Sequence, residues 1–453
     1  MTHHRSTRRD CLKWFSRAAA AGVAAPWILP AGALRAAEGD SENDRPVFGC
    51  IGCGAMAFRY PWPEITDLVN ADKFGRVVAV CDVDRKRAED ASDGGKRAVY
   101  QDYRKLLDRQ DIDAVTITTP DHWHAKIAID ALRAGKDVYL AKPATLTIDE
   151  GKQLWKVARE ESKRIIGICT QQRSDERFLK AVAMCQLGRI GKIHRVTCAI
   201  GSGGAGGPFD KQDPPPTLDW DFWLGQAPKV DYRPQRCHGS FRRWYEYSGG
   251  TVTDWGAHHV DIAQWAIGMD RSGPTSVEVV AAELPVPFEK GYPTVDDCFN
   301  TPTAFQVKCL FENGVEMIIR HDTDNGILFE GEKGRFFVNR GKLVGTPTEW
   351  LKEDPIPEEV ITKLNGGKPL FEAPNPWTSH MANFVACLKD RSTPVSDVYT
   401  NHRGLSTCHL ANIAIRLGRE KIIWDPKTEQ IVGDDEANAF LSRPQREGYE
   451  ISV

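Results

Sequence analysis

The 453-residue chain carries 41% hydrophobic and 27% charged side chains, an ordinary globular composition long enough for two domains. Its formal charge of −3 argues against nucleic acid or another polyanion as partner. Of its 12 cysteines, Cys50, Cys81, Cys169, Cys198 and Cys309 sit in apolar strand-like runs, where a thiol packs as a small hydrophobe rather than as part of a disulfide framework.

Residues 1–37 differ in kind. They hold six of the 59 basic and one of the 62 acidic side chains, so the remainder carries a formal charge of −8. Thr7 to Lys13, TRRDCLK, resembles a twin-arginine export signal, and Ala31-Gly32-Ala33 is a candidate cleavage site. The apolar run from Ala18 to Leu29 is too short to span a bilayer. The expectation is a periplasmic or otherwise exported protein with no membrane span in its mature form. That route carries folded proteins, so a cofactor would be loaded beforehand, held tightly and recycled in place.

A first domain is expected over residues 44–170. In Val47 to Ala57, VFGCIGCGAMA, an apolar strand meets a glycine turn, with Gly52, Gly54 and Ala57 in G-x-G-x-x-A spacing. Glycines there let backbone N–H groups approach a diphosphate, and a small third residue lets a helix pack on its strand. Gly52, Gly54, Ala55, Met56 and Ala57 are therefore candidate dinucleotide contacts, although any turn of small residues fits the pattern. Cys50 and Cys53 form a C-x-x-C across this junction, with no second pair at zinc spacing. The strand Val77–Cys81 leads into Asp82, whose carboxylate can accept both ribose hydroxyls and repel a 2′-phosphate. This favours NAD over NADP, with nearby Arg85 softening the preference. A helix N-cap is the bland reading of Asp82.

Ala114–Thr118 reads as a strand entering Thr119-Pro120-Asp121-His122-Trp123-His124 and a helix closed by Gly135. Val138–Leu140 is another strand, ending in Ala141-Lys142-Pro143. Such alternation predicts a parallel sheet covered on both faces, with ligands at the carboxyl ends of its strands. Thr119, Pro120, His122, His124 and Lys142 stand at those ends as candidate cofactor contacts.

The glycine loop, T-P-D-x-x-H and x-K-P in this order resemble the Gfo/Idh/MocA oxidoreductase family, whose pattern has T-P-N-x-x-H and E-K-P. Asp121 replaces the Asn and Ala141 the Glu, which removes a partner for Lys142. The resemblance implies an α/β protein: an N-terminal Rossmann NAD-binding domain and a C-terminal α+β domain with a large, mostly antiparallel open sheet. It places Lys142 against both cofactor and substrate hydroxyl, where an ammonium can stabilise the alkoxide formed as hydride leaves. The alternative is a solvated surface lysine.

A second domain is expected over 171–400, followed by a helix and tail over 401–453. The strand Ile165–Cys169 leads into Gln171-Gln172-Arg173. In similar family members this junction lies beneath the nicotinamide, making Gln172 a candidate cofactor contact and Arg173 a candidate substrate contact. Residues 201–247 read as a long functional loop. Its Trp220, Trp223, Trp244 and Tyr247 offer flat faces on which a sugar ring can lie, so Trp223 and Trp244 are substrate candidates, packing being the commoner use.

In Gly249 to Asp261, GGTVTDWGAHHVD, a helix would put Asp254 and His258 at i and i+4, with Asp261 nearly in line. A carboxylate one turn away would fix the tautomer of His258 and raise its basicity as a general base. This D-x-x-x-H segment matches the family's catalytic signature, which pairs with the lysine. His259, about 100° around the helix, is either packing or a second substrate contact. A metal site from Asp254, His258 and Asp261 is the rival, but no further ligand cluster accompanies it, so no metal is expected.

Strands are expected at Ser276–Ala282, Phe305–Phe311, Val315–His321 and Arg335–Val338, with Asn313-Gly314 as a hairpin turn. In the family the open sheet face serves self-association, implying a homo-oligomer. Residues 340–376 read as a surface excursion, and Thr378–Lys389 and His402–Leu417 as helices.

The leading expectation is an exported NAD-dependent oxidoreductase acting on a hydroxyl of a sugar or sugar derivative, with Lys142, His258 and Asp254 catalytic. Its rivals are a redox-neutral NAD-dependent glycoside hydrolase or epimerase working through a transient keto-sugar, and a non-catalytic sugar-binding protein.

Overall fold

The computed structural model describes residues 45–59 and 66–453, so the signal expected over 1–37 lies outside the described residues. Strands β1 (Val47–Ile51), β2 (Arg76–Cys81), β3 (Ala98–Tyr100), β4 (Ala114–Ile117), β5 (Asp137–Leu140) and β6 (Ile166–Ile168) form a parallel sheet in the order β3-β2-β1-β4-β5-β6. This is the doubly wound arrangement, in which the crevice at the carboxyl ends of β1 and β4 receives a ligand.

The strand side chains feed two cores. Ile51, Ala79, Val115, Ile117, Val138 and Leu140 pack with the helices Asp121–Arg133 and Ile148–Glu160. Phe48, Cys50, Val80 and Tyr139 pack on the opposite side with Leu68 and Ala71 of the helix Asp67–Phe74. The same core takes Met381, Phe384, Val385 and Leu388 from the helix Pro376–Asp390. That late helix falls within the stretch expected to form the second domain. Its apolar stripe covers sheet surface that nearer segments leave bare, so the chain returns to the first sheet.

The turn after β1 requires glycine. Gly52 has φ +88°, and a Cβ there would sit 2.6 Å from the carbonyl carbon and oxygen of Thr118. Gly52→Ala is expected to destabilise the protein by about 2 kcal/mol or more and to lower its bound nucleotide, measured by denaturant unfolding and by nucleotide release. Unchanged stability would contradict this close approach.

The second sheet comprises β7 (Ile193–Ala199), β8 (Pro274–Glu283), β11 (Ala304–Phe311), β12 (Glu316–Arg320), β13 (Gly326–Gly331), β14 (Gly334–Val338), β15 (Leu343–Val344), β16 (Lys421–Asp425) and β17 (Gln430–Ile431). Between β8 and β11 stands a short separate ribbon, β9 (Phe288–Glu289) with β10 (Tyr292–Pro293). The nine strands run in the order β15-β14-β13-β7-β12-β11-β8-β16-β17, antiparallel except for the parallel pair β7 and β12. Strict alternation in β11 turns Phe305, Val307 and Cys309 inward. With Val196, Met317, Ile319 and Phe329 they meet the helices Glu176–Gln186, Gly256–Ala266 and Val398–Arg416. The outer face carries Thr197, Lys308, Glu316 and Arg320 along a shallow groove. No helix among the described residues is long and apolar enough to cross a membrane.

Candidate active site

A cavity of about 780 Å³ opens at the carboxyl ends of the first sheet, within the range of small-molecule sites. Gly52, Gly54, Ala55, Met56, Asp82, Thr119, Pro120, His124 and Lys142 line it, as do His258 and Asp254 from the other half of the chain. Asp82 fastens the glycine loop: its Oδ2 accepts the Cys53 N–H at 2.8 Å and its Oδ1 the Asp84 N–H at 2.9 Å. Burial raises the pKa of this carboxyl, against those two backbone bonds. Among the described residues a Cβ on Gly54 would meet only the Arg87 guanidinium, at 3.4 Å, which leaves the loop backbone open to a ligand on that side. With the buried Thr119 hydroxyl left unpartnered, this cradle fits a dinucleotide.

Lys142 reaches across the cavity. Its Nζ donates to Asp254 Oδ1 at 2.6 Å and to the Asp254 carbonyl at 2.9 Å, and Arg242 Nε donates to the same Oδ1 at 3.1 Å. Burial alone would raise the Asp254 carboxyl, but the charges of Lys142 and Arg242 outweigh it and hold the group well below the usual carboxylate range. Asp254 is therefore a fixed anion that positions Lys142.

The anticipated Asp254–His258 pair does not form. Two short helices meet at Trp255, which keeps helical φ and ψ, so it is the engagement of the carboxylate by Lys142 and Arg242 that separates Asp254 from His258. His258 lines the cavity with its Nδ1 buried and unpartnered. Burial, then the charges of Lys142 and Arg340, lower its pKa well below the ordinary value, so the imidazole is neutral. The expected gain in basicity is thus reversed in sign. Asp261 also leaves the proposed metal trio, because both its oxygens accept from Arg173 at 2.7 Å.

Residues 47–167 match the oxidoreductase family's NAD-binding Rossmann fold, and residues 206–451 match that family's C-terminal alpha/beta domain. The chain belongs to the Gfo/Idh/MocA oxidoreductase family. It is 25% identical over 308 residues to inositol 2-dehydrogenase 2 of Saccharopolyspora erythraea, spanning 66% of this chain and 70% of that protein. The aldose-aldose oxidoreductase of Caulobacter crescentus, solved with glycerol, superposes with TM-score 0.58 at 16% identity over 84% of this chain and 99% of that one. The WlbA dehydrogenase of Bordetella pertussis, solved with NADH and UDP-GlcNAcA, gives 0.56 at 19% identity over 84% and 99%. The last two likenesses establish fold alone.

Several residues singled out in this Gfo/Idh/MocA chain stand off the cavity wall. Arg173 and Asp261 form a closed ion pair, each side chain 3% exposed, with Arg173 stacked on Trp265. Trp244 is fully buried beneath the Arg236 guanidinium, so neither it nor Arg173 is placed to touch substrate. His259 is enclosed between Gln172 and Asn325, and Gln172 itself lies behind the wall, its amide nitrogen donating to the His258 carbonyl at 3.1 Å. His122 bonds the Trp223 carbonyl at 3.0 Å, and Ala57 is buried where a small residue suits packing. Trp223 does line the cavity, stacked on Trp220. Arg85 turns out to Glu89, and Arg87 takes the cavity position instead, 3.6 Å from Asp84. Arg242, Arg340 and Trp377 are further wall residues without a sequence motif, and Trp255 joins them from within the Gly249–Asp261 segment. Asp121, the family's Asn position, also lines the wall with Oδ2 unpartnered, and burial lifts its carboxyl to about 7.

Histidines buried in the neutral form make the fold acid-labile. Burial lowers His122 to about 3 and His124, His259 and His380 to about 4, from an ordinary 6.5. Between about 6.5 and about 4 the unfolded chain binds protons that these folded imidazoles refuse, so the stability they contribute falls as pH falls through that window, and that of His122 goes on falling to about 3. Calorimetric unfolding across that range should record a falling midpoint, damped by the Asp121 carboxyl, which takes up its proton first in the folded chain; a rising midpoint would contradict neutral burial.

Proposed function

We propose that the protein is an exported oxidoreductase that acts on a hydroxyl of a sugar or sugar derivative with a resident NAD. The observation that carries this reading is the meeting, in one cavity, of the glycine loop, an ammonium fixed by Asp254 and the neutral imidazole of His258. Bound NAD supplies the hydride acceptor. His258 is unprotonated at neutral pH and takes the hydroxyl proton. Lys142 donates a hydrogen bond to the same oxygen and stabilises the negative charge that develops there, while Asp254 keeps its ammonium in place. The inositol dehydrogenase and aldose oxidoreductase likenesses support a polyol or sugar hydroxyl as the group oxidised.

Tight retention is supported by a strap over the cofactor end of the cavity. Arg85 N–H donates to the Thr217 carbonyl at 2.9 Å and Asp219 N–H to the Val83 carbonyl at 3.1 Å, immediately after Asp82. Leu218, Phe222 and Trp223 then close that end, and Arg446 holds the strap from outside through Asp221 at 2.7 Å. The charges of Asp82 and Asp84 favour NAD over NADP, against Arg87. Export rests on the twin-arginine motif, and self-association on the outer face of the nine-stranded sheet.

The test is to denature the purified protein, identify the released nucleotide and its redox state, then offer the intact protein a panel of free sugars and glycosides. The expected results are NAD and a keto-sugar formed with reduction of the bound nucleotide. Release of an aglycone with the nucleotide returned oxidised would assign redox-neutral cleavage instead. Unchanged ligands after long incubation would overturn both.

A further inference from the structure

Gly54 is a glycine that the packing of the protein does not demand. It is not one of the glycines held at positive φ, and among the described residues a Cβ there would meet only Arg87 Nη1, at 3.4 Å. Gly52 is the opposite case, with its Cβ position 2.6 Å from the Thr118 backbone. In the glycine turn of a dinucleotide fold, the second glycine lets a diphosphate come up to the backbone. The space above Gly54 therefore suits a diphosphate, and the side chain that borders it is Arg87. A guanidinium is a planar fork of N–H donors that matches phosphate oxygens.

Arg87 is steered to this place from two sides. It lies in the helix Arg85–Asp90, which Asp84 caps by accepting the Lys86 N–H at 3.1 Å. Asp84 Oδ2 stands 3.6 Å from Arg87 Nε, an ion pair too long to be a hydrogen bond, so it orients the guanidinium without saturating it. From the other half of the chain, His238 and Gly239 border the same cavity. His238 holds φ +55°, a conformation that residues other than glycine seldom adopt and that marks functional turns. Burial, then the charge of Arg87, lowers the His238 pKa, which sets the two side chains close together. We propose that Arg87 is a cofactor-binding residue whose guanidinium donates to the phosphate oxygens of the dinucleotide's diphosphate, and that this grip acts with the strap to keep the nucleotide resident. The proposal rests on the NAD reading above for its ligand. A phosphate on the 2′ oxygen of the adenosine would offer the same chemistry, but position separates the two. Arg87 Nη1 lies by Gly54, whereas Asp82 and Asp84 occupy the end of β2, where the ribose is read.

Retention is tested apart from turnover, on the nucleotide-loaded protein, for the wild type, Arg87→Gln and Arg87→Lys. The first readout is the rate at which resident nucleotide is released on dilution. Arg87→Gln should release it about 10- to 100-fold faster, and Arg87→Lys should recover part of the difference. The second is displacement of resident nucleotide by ADP, 2′-AMP and adenosine. In the wild type, ADP should displace it at about 10- to 100-fold lower concentration than adenosine. Arg87→Gln should erase most of that advantage and leave the ratio of 2′-AMP to adenosine as it was. A release rate and an ADP advantage unchanged in Arg87→Gln would overturn the proposal while the NAD reading stands. Loss of a 2′-AMP advantage with the ADP advantage intact would also overturn it, by assigning the guanidinium to a 2′-phosphate. A wild type that carries no nucleotide and binds none of the three would overturn the NAD reading, and the proposal with it.

Discussion

Replacing Lys142 by methionine is expected to lower kcat by roughly 10²- to 10³-fold while moving KM far less. Methionine keeps the apolar stem and removes the one donor that reaches Asp254 from the x-K-P turn. Asp254 retains Arg242 at 3.1 Å, so the carboxylate is not stranded and the fold survives. Charge on a substrate oxygen grows toward the transition state, so the ammonium contributes more there than in the ground state. Lys142→Arg is expected to rescue poorly, because a planar fork does not occupy the place of a compact ammonium. Steady-state kinetics with denatured-state nucleotide counts checks this. Wild-type kcat in Lys142→Met would remove Lys142 from the chemistry.

The second large effect is one of stability. Arg173→Met should destabilise the protein by about 3–5 kcal/mol, because it leaves the Asp261 carboxylate buried without its partner. The double variant Arg173→Met with Asp261→Leu should recover part of that loss. If Arg173 instead touched substrate, the single variant would raise KM at nearly unchanged stability. Denaturant unfolding of the three variants, beside kinetics on the folded fraction, separates the two accounts.

Arg173 also illustrates what sequence can and cannot say. Its place just after a strand end marks it as near the cofactor crevice, but its partner Asp261 lies 88 residues on, and no local pattern announces a pair so distant. The Lys142–Asp254 contact bridges 112 residues in the same way. By contrast, the glycine turn, the Asp82 strand end and the T-P and x-K-P turns are local features, each fixed by backbone geometry over a few residues, and they can be read directly. The helical spacing of Asp254 and His258 misleads because spacing is silent on competing partners: Lys142 and Arg242, brought in by the fold, take the carboxylate.

Other features leave only faint traces in sequence. Strand β3 is three residues long, too short to carry alternation. The parallel pairing of β7 with β12 is set by the packing of distant segments, not by either strand. Arg340 and Trp377 flank a stretch rich in proline, glycine and charge. A tryptophan there, with an arginine on a tight turn, is a signal of use only once the fold brings both to one cavity. The return of Pro376–Asp390 to the first sheet is likewise a tertiary fact.

The claim on which everything else turns is that a nucleotide held beneath the strap accepts hydride from a carbinol placed between Lys142 and His258. The most direct measurement is to mix the nucleotide-loaded protein with an excess of each of a panel of free sugars and polyols, record the near-ultraviolet absorbance of reduced nicotinamide, and then pass the mixture over a desalting column. The prediction is that the absorbance rises in the wild type, barely rises in Lys142→Met, and elutes with the protein. No rise with any sugar or polyol, or an equal rise in Lys142→Met, would contradict the account.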